Sequence, residues 1–473
     1  MPLPPCSWWK RGSAYNPMPD NSVNRREIRD LTQGPIGKQL FAFALPLFAG
    51  SLIQLLYNTV DLMFVGRILG ADASAAVGAS SLIVTCILGV FTGLSVGVGV
   101  AAAKAVGSGD TGKLKDIICT AAGMTCLLAL VFTVLGLLMA PRCLRWMRTP
   151  EEILPSAVGY LRLYLLSLIS IVSYNIGSGI LRALGNTRSP MLYQLFGGIA
   201  NLLGNTVFIY FLNWGVQGAA LATACSQGLA ALLTVRHLCR MKTEYRLRLG
   251  KMKLDKAICK EFLTVGIPAA VQSVVITLSN LIVQTHINQL GVDSIAAFTA
   301  YFKVENFIYL PIMAFGQACS TFTSQNIGAC HVERVKQGVH ASLLLGVAVT
   351  VGTSALTLVS SQFAFGLFAR DASVVELGVQ IAWVAYPFYF VYVFLEVYAS
   401  AIRGAGKALP AMGIIVVNMC LVRTCVLKGI LHFQPSVVGV AAVYPITWVC
   451  TAVCLFLYYR SCRWLPQTLE KNP

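Results

Sequence analysis

Long apolar runs separated by short polar gaps make up most of this 473-residue chain. The run from Leu40 to Val65, for example, contains Asp61 as its one charged residue. It exceeds the ~20 apolar residues that cross a ~30 Å hydrocarbon core as an α-helix. Because backbone groups in lipid must be paired within their own segment, the pattern predicts membrane-spanning helices.

The apolar runs predict twelve spans and, with them, a division of the chain. We place the spans at residues 39–65, 74–103, 117–140, 154–181, 189–212, 215–235, 261–289, 294–326, 338–369, 373–402, 408–431 and 436–459. The expected domains are a cytoplasmic polar leader (1–37), an N-terminal six-helix lobe (38–236), a basic cytoplasmic linker (237–260), a C-terminal six-helix lobe (261–460) and a cytoplasmic tail (461–473).

The two halves repeat each other at an offset of about 221 residues. ILRALGNTRSPM (180–191) matches AIRGAGKALPAM (401–412), and LGADASAAVGA (69–79) matches LGVDSIAAFTA (290–300). Six spans per half leave both halves with the same orientation, so the symmetry axis is expected along the membrane normal. The predicted fold class is therefore an all-α integral membrane protein with twelve transmembrane helices in two six-helix bundles related by pseudo-twofold symmetry.

The charge distribution indicates topology. Only 12% of residues are charged, against the roughly 25% usual in soluble domains. The net charge of +17 is the balance of 36 Lys and Arg against 19 Asp and Glu, and we assign 27 of the 36 basic residues to cytoplasmic segments. By the positive-inside rule, both termini of this multi-pass membrane protein are predicted to be cytoplasmic. We expect contact with membrane lipids and none with nucleic acid.

Enzyme and cofactor motifs are not apparent in the sequence. The five histidines form no constellation, and the fifteen cysteines show no metal spacing, so we expect reduced cysteines that pack, no cofactor and no enzymatic activity. The glycines of GLSVGVGV (93–100) imitate a nucleotide loop but lie in an apolar span, where close helix packing explains them.

Charged residues inside spans are costly, so each is a functional candidate. They are Asp61, Arg162, Lys303, Glu305, Glu396 and Arg423. Glu305, Glu396 and Lys303 are candidates for a substrate or proton site, as is Asn58, one turn before Asp61. Because Lys303 and Glu305 are two residues apart, they should point to different faces of their helix. The alternative for Glu396 is a salt bridge with a basic neighbour such as Arg423.

A polar group in the N-terminal half is predicted to join Asp61. Asn201 and Asn205 share a helix face, and Thr223 lies at a similar depth in the antiparallel next span. These four residues have the oxygen atoms that a small cation or a protonated carboxyl group needs. The alternative is that the amides and hydroxyl only bond neighbouring helices to each other.

Three stretches carry a family resemblance. They are QLLYNTVDLMFVGRILGADASAAVGA (54–79), the FTGLSVGVGV that follows it, and FGQACSTFTSQNIGA (315–329). Here the chain resembles the multidrug and toxic compound extrusion (MATE) family, over about residues 31–463. The resemblance implies a 6+6 helical exporter that couples outward movement of cationic, amphipathic compounds to inward flow of Na⁺ or H⁺.

The resemblance also implies site residues. Asp61 has the position of the family's helix 1 coupling carboxylate, and Asn201 and Thr223 match positions that complete a cation site in some members. Asn205 stands where those members have a second carboxylate. If the coupling ion is Na⁺, then Asp61, Asn201 and Thr223 would bind it. The family's acidic positions on helices 7 and 10 fall near Ile276 and Tyr392, which are not acidic.

The function that the resemblance implies is that of a secondary antiporter in the cell (inner, cytoplasmic) membrane of a prokaryote. It would act as a monomer, exporting cationic or amphipathic compounds in exchange for H⁺ or Na⁺ by alternating access. With one acid in the site, loss of water favours the neutral carboxyl group and therefore H⁺. The alternative is a flippase for lipid-linked saccharides, which belongs to the same superfamily. A membrane-embedded enzyme would need a catalytic constellation that we do not find.

Overall fold

The computed structural model describes residues 30–369, 371–433 and 436–465. The predictions for residues 1–29 of the leader and for residues 466–473 of the tail concern residues outside this part of the chain. Within the described ranges every regular element is helical, and no strand occurs. The all-α prediction is therefore confirmed.

The chain forms two compact units. The first, the N-unit, is Ala49–Ala270, and the second, the C-unit, combines Leu31–Phe48 with the described residues from Val271 onward. The N-unit contains the larger part of α1 (Ile36–Phe64), then α2 (Ala71–Gly107), α3 (Thr111–Trp146), α4 (Leu154–Leu166), α5 (Leu168–Ala183), α6 (Arg188–Asn205), α7 (Gly215–Arg240) and the start of α8 (Lys256–Ile287).

The C-unit has a corresponding series of helices after the rest of α8. They are α9 (Val292–Gly328), α10 (Val332–Val359), α11 (Ser361–Gly366), α12 (Ala372–Ala385), α13 (Tyr389–Gly404), α14 (Ala408–Val416), α15 (Arg423–Phe433) and α16 (Val437–Arg460). Short 3-10 or π-helical segments extend α1, α6 and α8 and connect α12 to α13 and α14 to α15.

The helices account for the twelve predicted spans. Among the described residues, ten helical segments are long and apolar enough to cross a membrane, and α4 with α5 makes an eleventh that bends by 46°. The twelfth is α9, whose 37 residues are long enough but include Lys303 and Glu305. The protein is therefore an all-α integral membrane protein of twelve helical spans.

Close packing in the N-unit depends on two glycines of the GLSVGVGV stretch. A Cβ atom at Gly93 would lie 2.6 Å from the Cα of Ala270, and one at Gly97 would lie 2.9 Å from the backbone nitrogen of Gly266. Real Cβ atoms do not approach backbone so closely, so α2 and the start of α8 contact each other through positions without side chains. The packing role predicted for these glycines is confirmed.

The connection between α7 and α8 is shorter than expected. Because α7 continues to Arg240 and α8 begins at Lys256, only residues 241–255 lie between them. This segment is attached to the N-unit by the ion pair from Lys253 Nζ to Asp116 Oδ1 (2.7 Å) and by the backbone hydrogen bond from Leu247 to Leu238 (3.0 Å).

The sequence repeat also appears in local geometry. Helices α2 and α9 both have 37 residues and begin 221 positions apart. The turns repeat at the same offset, with left-handed backbone at three pairs of positions: Gly70 and Gly291, Gly109 and Cys330, and Gly185 and Gly406. The backbone therefore turns with the same handedness at the same three points of both halves. This agreement of backbone conformation supports duplication independently of the matching side chains.

Candidate functional site

Asp61 lies in the last turn of α1, just before the π-helical segment Val65–Leu69. Its side chain is partly buried, and its Oδ1 accepts a hydrogen bond of 2.7 Å from Nδ2 of Asn205. Asn205 is the last residue of α6 before a second π-helical segment, Thr206–Phe211. A π-helical turn changes the direction in which nearby side chains point, and such turns are frequent at functional sites.

The polar chain continues from Asn205 across α6 to α7. Asn205 Nδ2 donates to Asn201 Oδ1 (3.2 Å), and Asn201 Nδ2 donates to the hydroxyl of Thr223 (3.4 Å). Asn201 is 1% exposed and Asn205 is fully buried. The structure thus brings together all four residues that the sequence suggested, and we call Asp61, Asn205, Asn201 and Thr223 the α1-α6-α7 polar chain.

One negative charge and several neutral oxygens define the chemistry of this chain. Asn205 Oδ1 is buried without a hydrogen-bond partner among the described residues. The described residues hold no group of three or more His, Cys, Asp or Glu that would suit a multivalent metal. The arrangement suits a species with a single positive charge, because one carboxylate can neutralise it and amide or hydroxyl oxygens can complete its shell.

A second polar contact, not predicted from the sequence, lies one helical turn before Asp61 on α1. The Tyr57 hydroxyl accepts hydrogen bonds from Gln227 Nε2 (3.1 Å) and Gln194 Nε2 (3.4 Å). Tyr57 precedes Asp61 by four residues and so shares its helix face. This spacing is the feature of the sequence from which the contact could have been predicted. The same three helices therefore hold polar side chains at two successive levels.

In the C-unit, Glu396 is paired with Arg403. Glu396 Oε1 lies 2.6 Å from Arg403 Nη2 and also accepts a hydrogen bond from the Ser400 hydroxyl (2.9 Å). The alternative given for Glu396, a salt bridge with a basic neighbour such as Arg423, is therefore found with Arg403, which follows Glu396 by two turns on the same helix face. Gly316 makes room for the pair, since a Cβ atom there would lie 2.7 Å from Glu396 Cγ.

Glu305 lies in an aromatic cluster of the C-unit. Its carboxylate accepts a hydrogen bond from the Tyr389 hydroxyl, and the Tyr389 ring packs edge-on to Trp448 with centroids 4.7 Å apart. Arg423 is buried nearby, donates to Asn280 Oδ1 (3.0 Å) and lies 5.1 Å from the centroid of the Tyr444 ring. A carboxylate among aromatic rings is a chemically suitable place for an organic cation.

Two further candidates lie on exposed surfaces. Lys303 is exposed, and its ammonium group lies 5.5 Å from the ring centroid of Phe368. Glu305 instead points inward to Tyr389. Lys303 and Glu305 therefore face different directions, as expected. Asn58 is also exposed.

The class of protein is defined by this fold and these polar groups: a polytopic α-helical membrane protein with ionisable side chains held inside its spans. The MatE family model matches residues 46–207 and 268–427. The chain therefore belongs to the MatE family of multidrug efflux transporters, as its resemblance indicated.

Relatives extend the match to nearly the full chain. The probable multidrug resistance protein YpnP of Bacillus subtilis is 27% identical over 443 residues, covering 92% of this chain and 97% of that protein. The FAD transporter of Shewanella oneidensis is 25% identical over 456 residues, covering 92% of this chain and 97% of that protein.

Solved structures share the fold. One of them is described as the outward-facing conformation of a multidrug resistance MATE family transporter of the MOP superfamily. Its sequence is 22% identical to this chain, and the two structures align with a TM-score of 0.88 over 93% of this chain and 98% of that one. Transporters of this family use ion coupling, and no family of enzymes is indicated.

Proposed function

We propose that this chain is a secondary active antiporter that exports cationic or amphipathic drugs and toxic compounds in exchange for H⁺ or Na⁺ by alternating access. The observation that carries the proposal is the α1-α6-α7 polar chain, in which Asp61 is the one residue that can change its charge. A charged group inside a span is costly, so a partly buried carboxylate that binds and releases a positive ion is a functional feature.

The geometry supports two states of this carboxylate. When Asp61 is ionised, the Nδ2 group of Asn205 donates to it across 2.7 Å. When Asp61 is protonated, it needs an acceptor, and Asn205 Oδ1 is a buried oxygen without a partner among the described residues. Rotation of one amide would exchange donor for acceptor, so the same side chain can serve both charge states.

We propose H⁺ as the coupling ion, because a proton needs only this one carboxyl group. If Na⁺ is used instead, Asp61, Asn201 and Thr223 supply its oxygen ligands. For the transported compound, we propose that Glu305 and the rings of Tyr389 and Trp448 attract its positive charge. The Glu396 carboxylate is already neutralised by Arg403 at 2.6 Å, which makes it the weaker candidate for that role.

The test is dye transport by purified protein in vesicles, with an imposed pH gradient and an imposed Na⁺ gradient applied separately. Wild type should move a cationic dye under one of the two. Asp61→Asn should reduce this movement to background because an amide cannot change charge, while folding and insertion are retained. The matched control is Asp72→Asn, which removes an exposed carboxylate at the start of α2 and should transport normally.

Two outcomes would contradict the proposal. Wild-type transport by Asp61→Asn would exclude the coupling role of this residue. Transport of a lipid-linked saccharide, with no movement of cationic dye under either gradient, would favour the flippase alternative.

A further inference from the structure

A shallow pocket lies where α6 begins and α7 ends, on the N-unit and away from the polar chain. Its lining combines two arginines with a hydrogen-bonded tyrosine and histidine. The residues are Tyr193, Leu233, Arg236, His237, Arg240 and Met241. The Tyr193 hydroxyl and His237 Nδ1 are 2.7 Å apart, which holds the two rings on one side of the pocket.

The two arginines are placed to bind one group together. Arg236 and Arg240 are four residues apart and therefore neighbours on one helix face, and both are exposed. Within the described ranges, neither has a carboxylate within ion-pair distance. Guanidinium groups in such a position form bidentate, charge-assisted hydrogen bonds with phosphate oxygens.

Helix length and the basic residues at this end of α7 predict that the pocket lies at the depth of lipid headgroups. Helix α7 has 26 residues and is about 39 Å long at 1.5 Å per residue, against a hydrocarbon core of ~30 Å. Its last turn therefore extends past the core. The residue one turn before Arg236 on the same face is Leu232, which is 63% exposed, and Phe196 on α6 is 48% exposed.

We propose that this pocket binds a phospholipid with an anionic headgroup. The phosphate would lie between Arg236 and Arg240, and the acyl chains would follow the apolar surface of Leu232 and Phe196. Basic pockets between transmembrane helices at the membrane surface recognise lipids in this way. The inference does not depend on the compound that the protein transports.

Two simpler explanations of the arginines make a different prediction. Arginines at a helix C-terminus interact with the helix dipole, and basic residues beside a span set its orientation. Neither effect needs a pocket, and the orientation effect applies equally to Arg246 and Arg248, which are exposed in the following segment.

The experiment is lipid titration of the delipidated full-length protein in neutral detergent, followed by native mass spectrometry. The lipids are phosphatidylglycerol and phosphatidylcholine, and soluble glycerol phosphate is a third arm. Wild type should bind phosphatidylglycerol at least tenfold more tightly than phosphatidylcholine. Arg236→Gln with Arg240→Gln should lose at least tenfold in affinity for phosphatidylglycerol, whereas Arg246→Gln with Arg248→Gln should lose less than threefold.

Equal losses in the two double variants would show a diffuse charge effect and overturn the site. Glycerol phosphate binding as tightly as phosphatidylglycerol would overturn the assignment to a lipid. Thermal unfolding in detergent without lipid checks that the variants are folded. If the double variant does not fold, the single variant Arg240→Gln carries the test, with a loss of at least threefold expected and no loss contradicting the site.

Discussion

At the scale of single residues, Asn205 decides the charge of the polar chain. It lies 2.7 Å from Asp61 and 3.2 Å from Asn201, so it contacts the acid and the next amide with one nitrogen. An amide at this point leaves the chain with a single negative charge. A carboxylate there would place two negative charges within hydrogen-bond distance, and such a pair is stable only when it holds a cation or shares a proton.

This difference predicts the effect of Asn205→Asp. The added carboxylate should make dye export respond to an imposed Na⁺ gradient, with a several-fold stimulation that wild type does not show. Export in vesicles under separate Na⁺ and pH gradients measures it. Asn213→Asp is the control, since it adds the same charge at an exposed position beyond α6. An unchanged ion preference in Asn205→Asp would show that the missing carboxylate does not select the ion.

At the scale of helices, α6 and α7 position the amides and the threonine by packing through small residues. A Cβ atom at Gly204 would lie 3.0 Å from the Cβ and 3.1 Å from the Cα of Ala222. The two helices therefore approach almost to backbone contact beside Asn201, Asn205 and Thr223. A wider spacing would first break the hydrogen bond from Asn201 to Thr223, which is already 3.4 Å long.

Gly204→Leu should therefore separate α6 from α7. We expect a loss of about 1 to 3 kcal/mol in stability from overpacking, together with a large loss of export. Thermal unfolding in detergent and dye export measure the two effects. Gly413→Leu, in α14, is the matched control because its added side chain meets nothing within 4 Å at the Cβ position. Equal behaviour of the two variants would contradict the packing argument.

At the scale of the whole molecule, the repeat and the charge distribution describe different properties. The repeat appears in helix lengths and in turns with left-handed backbone 221 residues apart. It predicts that the halves superimpose helix for helix about an axis near the membrane normal. The charge distribution instead predicts the orientation, with the α7–α8 connection in the cytoplasm.

The orientation can be measured by labelling a cysteine introduced at Lys251, an exposed residue of that connection. An impermeant thiol reagent added to intact cells should leave Lys251→Cys at the wild-type background set by the native cysteines. Labelling should appear after the cells are opened. Labelling in intact cells would reverse the predicted orientation of all twelve spans.

The sequence alone was sufficient for the spans, the repeat, the family and the four residues of the polar chain. The spans follow from hydropathy, and the repeat and the family follow from matching stretches of residues. The polar chain follows from helical spacing and from depth within a span. The alternative for Glu396, a salt bridge with a basic neighbour, is found with Arg403 and not with Arg423, the example named. The contacts of Tyr57 with Gln194 and Gln227 were not foreseen. The Tyr57 contacts join side chains of three different helices, and spacing along the chain does not rank such neighbours.

Tertiary structure decided the Tyr57 contacts because side chains from different helices meet only after the helices have packed. It also left space for the pair of Glu396 and Arg403, which lie on one helix, by placing Gly316 of α9 against them. It also made Asn205 the link between Asp61 and Asn201, at the end of α6 where the helix changes to a π-helical turn. Hydropathy determines which segments enter the membrane, whereas packing determines which polar groups inside it find each other.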